Sequence, residues 1–271
     1  MGEARPPSQS PAEPVRVTNP DGKGAYVLTC DHASNFLPPE FDSLGLPQSE
    51  LSRHIAWDIG VLPVARRMAQ MLDAVLVETC VSRLVLDCNR ALNSPGLIPT
   101  VSETTEIPGN AVLSDAERQA RIDRLWRPFH DAIDAVIEKR LARGQECRLV
   151  SVHSFTPIYK GVARPWQVGI IHDEDTRLAL PLLAALERSG EVTVAANEPY
   201  SPADGVYFTI EKHARSRAMP CAMIEIRNDE IGDAAGQTAW AARLASALAG
   251  IGKFEAPAAA RATCTGDQEL A

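Results

Sequence analysis

Residues 25–35 read AYVLTCDHASN: a short run of apolar and β-favouring residues that stops abruptly at Asp31 and His32. It lacks the apolar/polar alternation of a half-exposed strand, and so reads as a strand buried on both faces. The same texture recurs in AVLVETCV (74–81), RLVSVH (148–153), QVGIIH (167–172), VTVAAN (192–197) and CAMIEI (221–226). Between these runs lie amphipathic stretches of helical length at 58–72, 114–143, 175–189 and 236–249. Ser114 and Glu117 carry the capping-box pattern at the head of the longest one, and Gly144 supplies its stop. Strands alternating with helices predict a wound α/β fold with a mostly parallel sheet covered by helices.

Composition bounds the function. Hydrophobic residues make up 45% of the 271 and charged residues 23%, enough to build one sizeable core. The formal net charge of −8 lacks the basic footprint of a nucleic-acid binder. No apolar run approaches the roughly 20 residues that span a bilayer, and residues 1–14 have no apolar signal core, so a cytoplasmic protein without membrane partners is expected. Cys30, Cys80, Cys88, Cys147, Cys221 and Cys264 show no paired spacing and read as reduced thiols, several of them small core residues. Residues 1–20 read as a mobile arm and 255–271 as a mobile tail around one domain, 21–254. Long loops at 31–53, 91–113 and 154–166 are candidates for function.

In a wound sheet, ligands bind beyond the carboxyl ends of the strands. Two histidines stand there: His32, just after AYVLTC, and His153, closing RLVSVH. Neutral imidazole is a standard zinc ligand, and a catalytic zinc takes three protein ligands plus an open position. Asn35 and Asp58 both compete for the third place; Asp58 is preferred because an anionic oxygen binds zinc better, although an Asp before a helix also serves as a cap. Glu225 sits in an otherwise apolar strand, where it either pairs with an arginine such as Arg227 or acts as general base beside the metal. The segment SRLVLDCNR brings Arg83, Asp87, Asn89 and Arg90 together, either as an acidic-substrate grip or as a loop-tying lattice. His213 is a candidate substrate contact or a helix-surface residue, His54 and His130 read as helix or loop residues, and His172 as a solvated helix start. There is no phosphate loop and no nucleophile elbow; Ser154 points away from its neighbour His153 on a strand.

The motifs CDHASN, AWDIG, SRLVLDCNR, SVHSFTP, NEPYSPADG and IEIRND, in this order, resemble the N-formylglutamate amidohydrolase family across residues 26–231. The resemblance implies a three-layer α/β/α sandwich with a mostly parallel, mixed sheet of the phosphorylase/hydrolase kind, similar to zinc carboxypeptidases and muramoyl-alanine amidases. It implies a zinc site, or one for another divalent ion, at His32, Asp58 and His153, with Glu225 as catalytic base. It implies hydrolysis of N-formyl-L-glutamate, or a related N-acyl amino acid, with Arg83, Asn89, Arg90, Arg227 and His213 as candidate contacts to an acidic small-molecule substrate; the alternatives are an amidase for another N-acyl amino acid or a cell-wall fragment, and a non-catalytic binding module for acidic ligands. For the middle ligand the two relatives differ: the carboxypeptidases take a Glu three residues after the first His, where this chain has Asn35, and the muramoyl amidases an acid at the start of the next helix, where it has Asp58.

Overall fold

A computed structural model describes residues 13–252 and Phe254. In chain order its strands are β1 (Val15–Thr18), β2 (Tyr26–Cys30), β3 (Val75–Thr79), β4 (Val101–Ser102), β5 (Thr105–Glu106), β6 (Arg148–Phe155), β7 (Ile158–Tyr159), β8 (Val162–Ala163), β9 (Val168–Ile171), β10 (Val194–Ala196) and β11 (Cys221–Arg227). The helices are α1 (Gln48–Leu51), α2 (Val61–Met71), α3 (Asp115–Arg121), α4 (Arg127–Ala142), α5 (Ala179–Ser189), α6 (Phe208–His213) and α7 (Ala234–Ala249). Seven strands form one mixed sheet in the order β1-β3-β2-β6-β11-β9-β10; β4–β5 and β7–β8 are separate hairpins. The neighbours β3–β2, β2–β6, β6–β11 and β9–β10 are parallel, whereas β1–β3 and β11–β9 are antiparallel.

Alternate residues of each central strand feed different cores, because successive side chains leave opposite faces of a sheet. Val27, Val77, Leu149 and Met223 pack toward Phe129, Ile133 and Ile137 of α4. Leu28, Leu76, Val150, Val152 and Ile224 pack on the other face against α2, α5 and α7 through Val64, Met68, Leu182, Trp240 and Leu244. Burial on both sides explains the continuous apolar runs and gives the three-layer α/β/α sandwich.

Four local expectations are corrected. Residues 15–18, assigned to a mobile arm, form the edge strand β1, whose partly buried Val15 and Val17 pack on the α4-side core; residues 1–12 and the proposed tail lie outside the described residues. The helix expected over 58–72 begins only at Val61, after Gly60 in the left-handed region. The long helix over 114–143 has the expected Ser114/Glu117 capping box but is interrupted by a π-helical turn, Ile122–Trp126, before α4. The strand expected over 192–197 shortens to β10, a partly exposed edge. All five cysteines among the described residues are free and buried.

Gly60 turns the chain from Asp58 into α2. Its φ is 78°, and a Cβ there would lie 2.2 Å from the Ile231 carbonyl oxygen. A Gly60→Ala substitution is expected to cost at least about 1–2 kcal/mol from the backbone conformation alone, read as a lowered denaturant midpoint; an unchanged midpoint refutes this account of the turn.

Candidate metal centre and active site

The parallel pairing of β6 with β11 sets His153 directly beside Glu225, so the two side chains share the face that Leu149 and Met223 give to the core. His32 lies two residues past the end of β2, the neighbour of β6. Asp58 arrives from the turn before α2, and its backbone N–H donates to the His32 carbonyl at 2.9 Å, tying the two segments together. Asp58 caps nothing: the N-cap of α2 is Gly60, and the carboxylate turns inward.

There His153 Nδ1 lies 2.9 Å and His32 Nδ1 3.4 Å from the same Asp58 oxygen. One donor atom from each of His32, Asp58 and His153 lies within 4.8 Å of the others, and all three residues are buried. The far nitrogens are held by carboxylates: His32 Nε2 meets Asp87 at 2.7 Å, and His153 Nε2 meets Asp31 at 3.1 Å and Ser151 Oγ at 2.8 Å. A carboxylate that accepts the Nε2 proton fixes the tautomer and turns the Nδ1 lone pair toward Asp58. Two lone pairs and an anionic oxygen then converge in a buried space, an arrangement that calls for positive charge, of which Arg83 NH1, 3.1 Å from His32 Nδ1 and 3.2 Å from Asp58 Oδ1, supplies a part.

The electrostatics around the two imidazoles also favours positive charge. Burial alone would lower the pKa of His32, but Asp87 and Asp58 override it and hold the value above the ordinary one. Burial is likewise outweighed at His153, where the hydrogen bonds its ring donates to Asp31 and Asp58 push it well up. A site that stabilises cationic rings also stabilises a divalent cation, whose binding displaces those protons. The donor set therefore fits such an ion: two imidazoles and one carboxylate, each imidazole backed by a second carboxylate.

Glu225 completes the cluster. It is buried, its Oε2 has no hydrogen-bond partner among the described residues, and burial pushes its pKa up to about 7 against the pull of His153. These residues line a cleft of about 550 Å³ together with Arg83, Asn89, Arg90 and Arg164. Arg83 reaches in from the loop after β3: NH1 lies 3.2 Å from Asp58 Oδ1, while Nε donates to the Ile55 carbonyl at 3.2 Å and NH2 to the His54 carbonyl.

Other expected contacts fall elsewhere. Asn35 stays out of the cluster and donates to the Leu51 carbonyl at 3.0 Å. Asn89 lines the cleft, yet its amide is spent on the Val206 carbonyl and the Thr209 N–H, tying this loop to α6. Arg90 stays in the cleft wall, 3.7 Å from Asp87. Arg227 does not reach the cleft, because Asp229 at 2.7 Å and Glu230 at 2.9 Å hold its guanidinium near its own backbone. His213 is neither on the surface nor in the cleft: it is fully buried, bridging Asp134 at 2.9 Å and His130 at 2.8 Å, and His130 in turn reaches the Cys88 carbonyl at 3.0 Å. The sequence reading missed Asp31 and Asp87 as partners of the imidazoles, and missed Arg164 and Tyr200 altogether; all four lie inside or beside stretches already singled out.

Fold and comparison together define an α/β amidohydrolase. The chain belongs to the N-formylglutamate amidohydrolase family, whose model matches residues 24–232. The crystal structure of gene product Atu2144 from Agrobacterium tumefaciens is similar at 44% identity and a TM-score of 0.86, over 88% of this chain and 94% of that one. N-formylglutamate amidohydrolase from Ralstonia eutropha JMP134 is similar in fold, with 20% identity and a TM-score of 0.65 over 87% of this chain and 95% of that one. No curated protein matches the chain.

Two outcomes follow from the geometry. Asp87→Asn, which keeps shape but removes the charge behind His32, is expected to weaken divalent-ion affinity about 10–100-fold in a chelator competition; undiminished affinity removes Asp87 from that role. The second concerns His130, whose pKa is lowered to about 3 by burial and by His213. Unfolded, the same ring protonates near 6.5, so between these values the unfolded chain binds the extra proton and stability falls as pH falls. Between pH 7.5 and pH 5 the denaturant midpoint of His130→Gln should therefore rise relative to that of wild type; identical pH dependence in the two contradicts a neutral buried His130.

Proposed function

We propose that this chain is a zinc-dependent amidohydrolase that cleaves N-formyl-L-glutamate to formate and L-glutamate. The observation that carries the reading is the shared face of His153 and Glu225, with Asp58 and His32 closing the other side of the same buried cluster. Family membership supports amide hydrolysis as the reaction. A zinc ion held by His32, Asp58 and His153 supplies Lewis acidity at an amide carbonyl and makes water more acidic.

The protein's own groups then have separate tasks. Glu225, whose burial lifts its pKa to about 7, takes the proton of the attacking water and returns it to the departing amine. Water adds to the formyl carbon, the carbon–nitrogen bond breaks, and the proton from Glu225 leaves with the glutamate nitrogen. Arg83, fixed by the carbonyls of His54 and Ile55, keeps NH1 on the cleft wall against Asp58 and His32, where its charge lies close enough to stabilise the oxyanion that develops. Asp31 and Asp87 keep the two imidazoles in one orientation through the cycle.

The cleft volume of about 550 Å³ favours a second reading within the class, a bulkier N-acyl amino acid, because a formyl group leaves much of that space unfilled. The first reading sets the reaction in the cytoplasm, at the close of histidine breakdown, a setting with which free buried cysteines agree. Glu225→Gln is expected to reduce formate release about 10²–10⁴-fold while zinc content stays unchanged. Retained turnover removes Glu225 as the base. Formate release that survives stripping of the metal by a chelator defeats the zinc reading.

A further inference from the structure

Three arginines line the cleft, and two of them already have anionic partners. Arg83 is paired with Asp58 at 3.2 Å. Arg90 lies 3.7 Å from Asp87, and its NH1 donates to the neighbouring Asn89 carbonyl at 2.8 Å. Arg164 differs from both: it is 9% exposed, and its side chain makes one hydrogen bond, from NH1 to the Tyr200 hydroxyl at 3.1 Å, with no carboxylate partner among the described residues.

Its surroundings are aromatic. The guanidinium lies 4.6 Å from the centroid of Tyr159, 4.8 Å from Tyr200 and 5.7 Å from Phe155. Ring faces attract a cation, but they replace only part of the hydration that a nearly buried guanidinium has lost. Arginine does not escape the cost by giving up its proton. An unpaired cation held in a cleft is thus an arrangement that an incoming anion completes.

The backbone is built to hold it there. Arg164 directly follows β8 at the foot of the β7–β8 hairpin, with its N–H donating to the Pro157 carbonyl at 2.8 Å. Arg227 donates to the carbonyls of Arg164 at 3.4 Å and Pro165 at 3.2 Å while Asp229 and Glu230 fix its other nitrogens. The arginine that the sequence offered as a substrate contact instead supports the one that faces the cleft.

We propose that Arg164, with the Tyr200 hydroxyl beside it, is the anchor for a carboxylate of the amino-acid part of the substrate and so selects acidic N-acyl amino acids over neutral amides. This rests on the hydrolase reading for the word substrate, but the anchor itself is a binding site with its own readout. A planar guanidinium takes a carboxylate through two parallel hydrogen bonds, and the flanking rings exclude the water that would weaken them.

The test is calorimetric binding of L-glutamate and of its diamide, in which both carboxylates are replaced by neutral amides, to the zinc-loaded full chain. Wild type should bind L-glutamate better than the diamide. Arg164→Met, which keeps a long apolar stem between the rings, should weaken L-glutamate binding about 30-fold or more at unchanged zinc content. It should leave diamide binding as it was. Arg164→Lys should recover part of the loss, and Tyr200→Phe should lose a few-fold. Equal L-glutamate affinity in wild type and Arg164→Met, or no preference of wild type for L-glutamate over the diamide, overturns the anchor. Absence of formate release from N-formyl-L-glutamate by the same wild-type preparation would sink the hydrolase reading and leave the binding comparison intact.

Discussion

The constraint on which the molecule turns is the pairing of each cluster imidazole with a carboxylate behind it, His32 with Asp87 and His153 with Asp31. Four carboxylates and two imidazoles are buried around one point, a collection that low dielectric makes costly unless each group has a defined partner. The sheet order meets that demand by placing the ends of β2, β6 and β11 near one another, so that groups distant in sequence become each other's solvation. The two Nδ1 atoms and the Asp58 carboxylate, with Arg83 at their edge, make the point where a cation belongs. Binding chemistry and folding chemistry are therefore the same set of contacts.

The arginines sort by the same rule. A guanidinium near the cluster is either matched by an acid, as Arg83 and Arg90 are, or left for a ligand, as Arg164 is. Arg227 was drawn into the surface by its own neighbours in the sequence, Asp229 and Glu230. Local ion pairs of this kind are worth little as stability, but they decide where a long side chain points.

Much of this was legible in the sequence, for a physical reason. Strands buried on both faces must be apolar throughout, so β2, β3, β6, β9 and β11 announce themselves, and the polar residues that interrupt or end them, His32, His153 and Glu225, stand out against that background. Asp58 was readable as an acid placed where a helix seemed to begin, and only Gly60 shows that the helix starts later. Arg164 was not readable, because its meaning depends on Tyr200, distant in sequence, closing around it with the nearby rings of Phe155 and Tyr159. His213 misled because a short helix with Lys212 and Arg217 nearby reads as surface, whereas tertiary packing buries the ring against His130. Pattern carries the fold; convergence of side chains from distant loops carries specificity, and no one-dimensional period encodes it.

The edge strand β1 has a consequence for handling the protein. Arg16 and Arg66 both reach Glu78 of β3, and β1 covers the row of backbone amides and carbonyls that β3 would otherwise present to solvent. A chain trimmed at residue 20, as the Pro-rich composition of the first residues invites, would carry an open, apolar, extended edge of five buried residues. Such an edge is a template for another copy of itself, so shortening this protein to its apparent domain boundary would invite self-association.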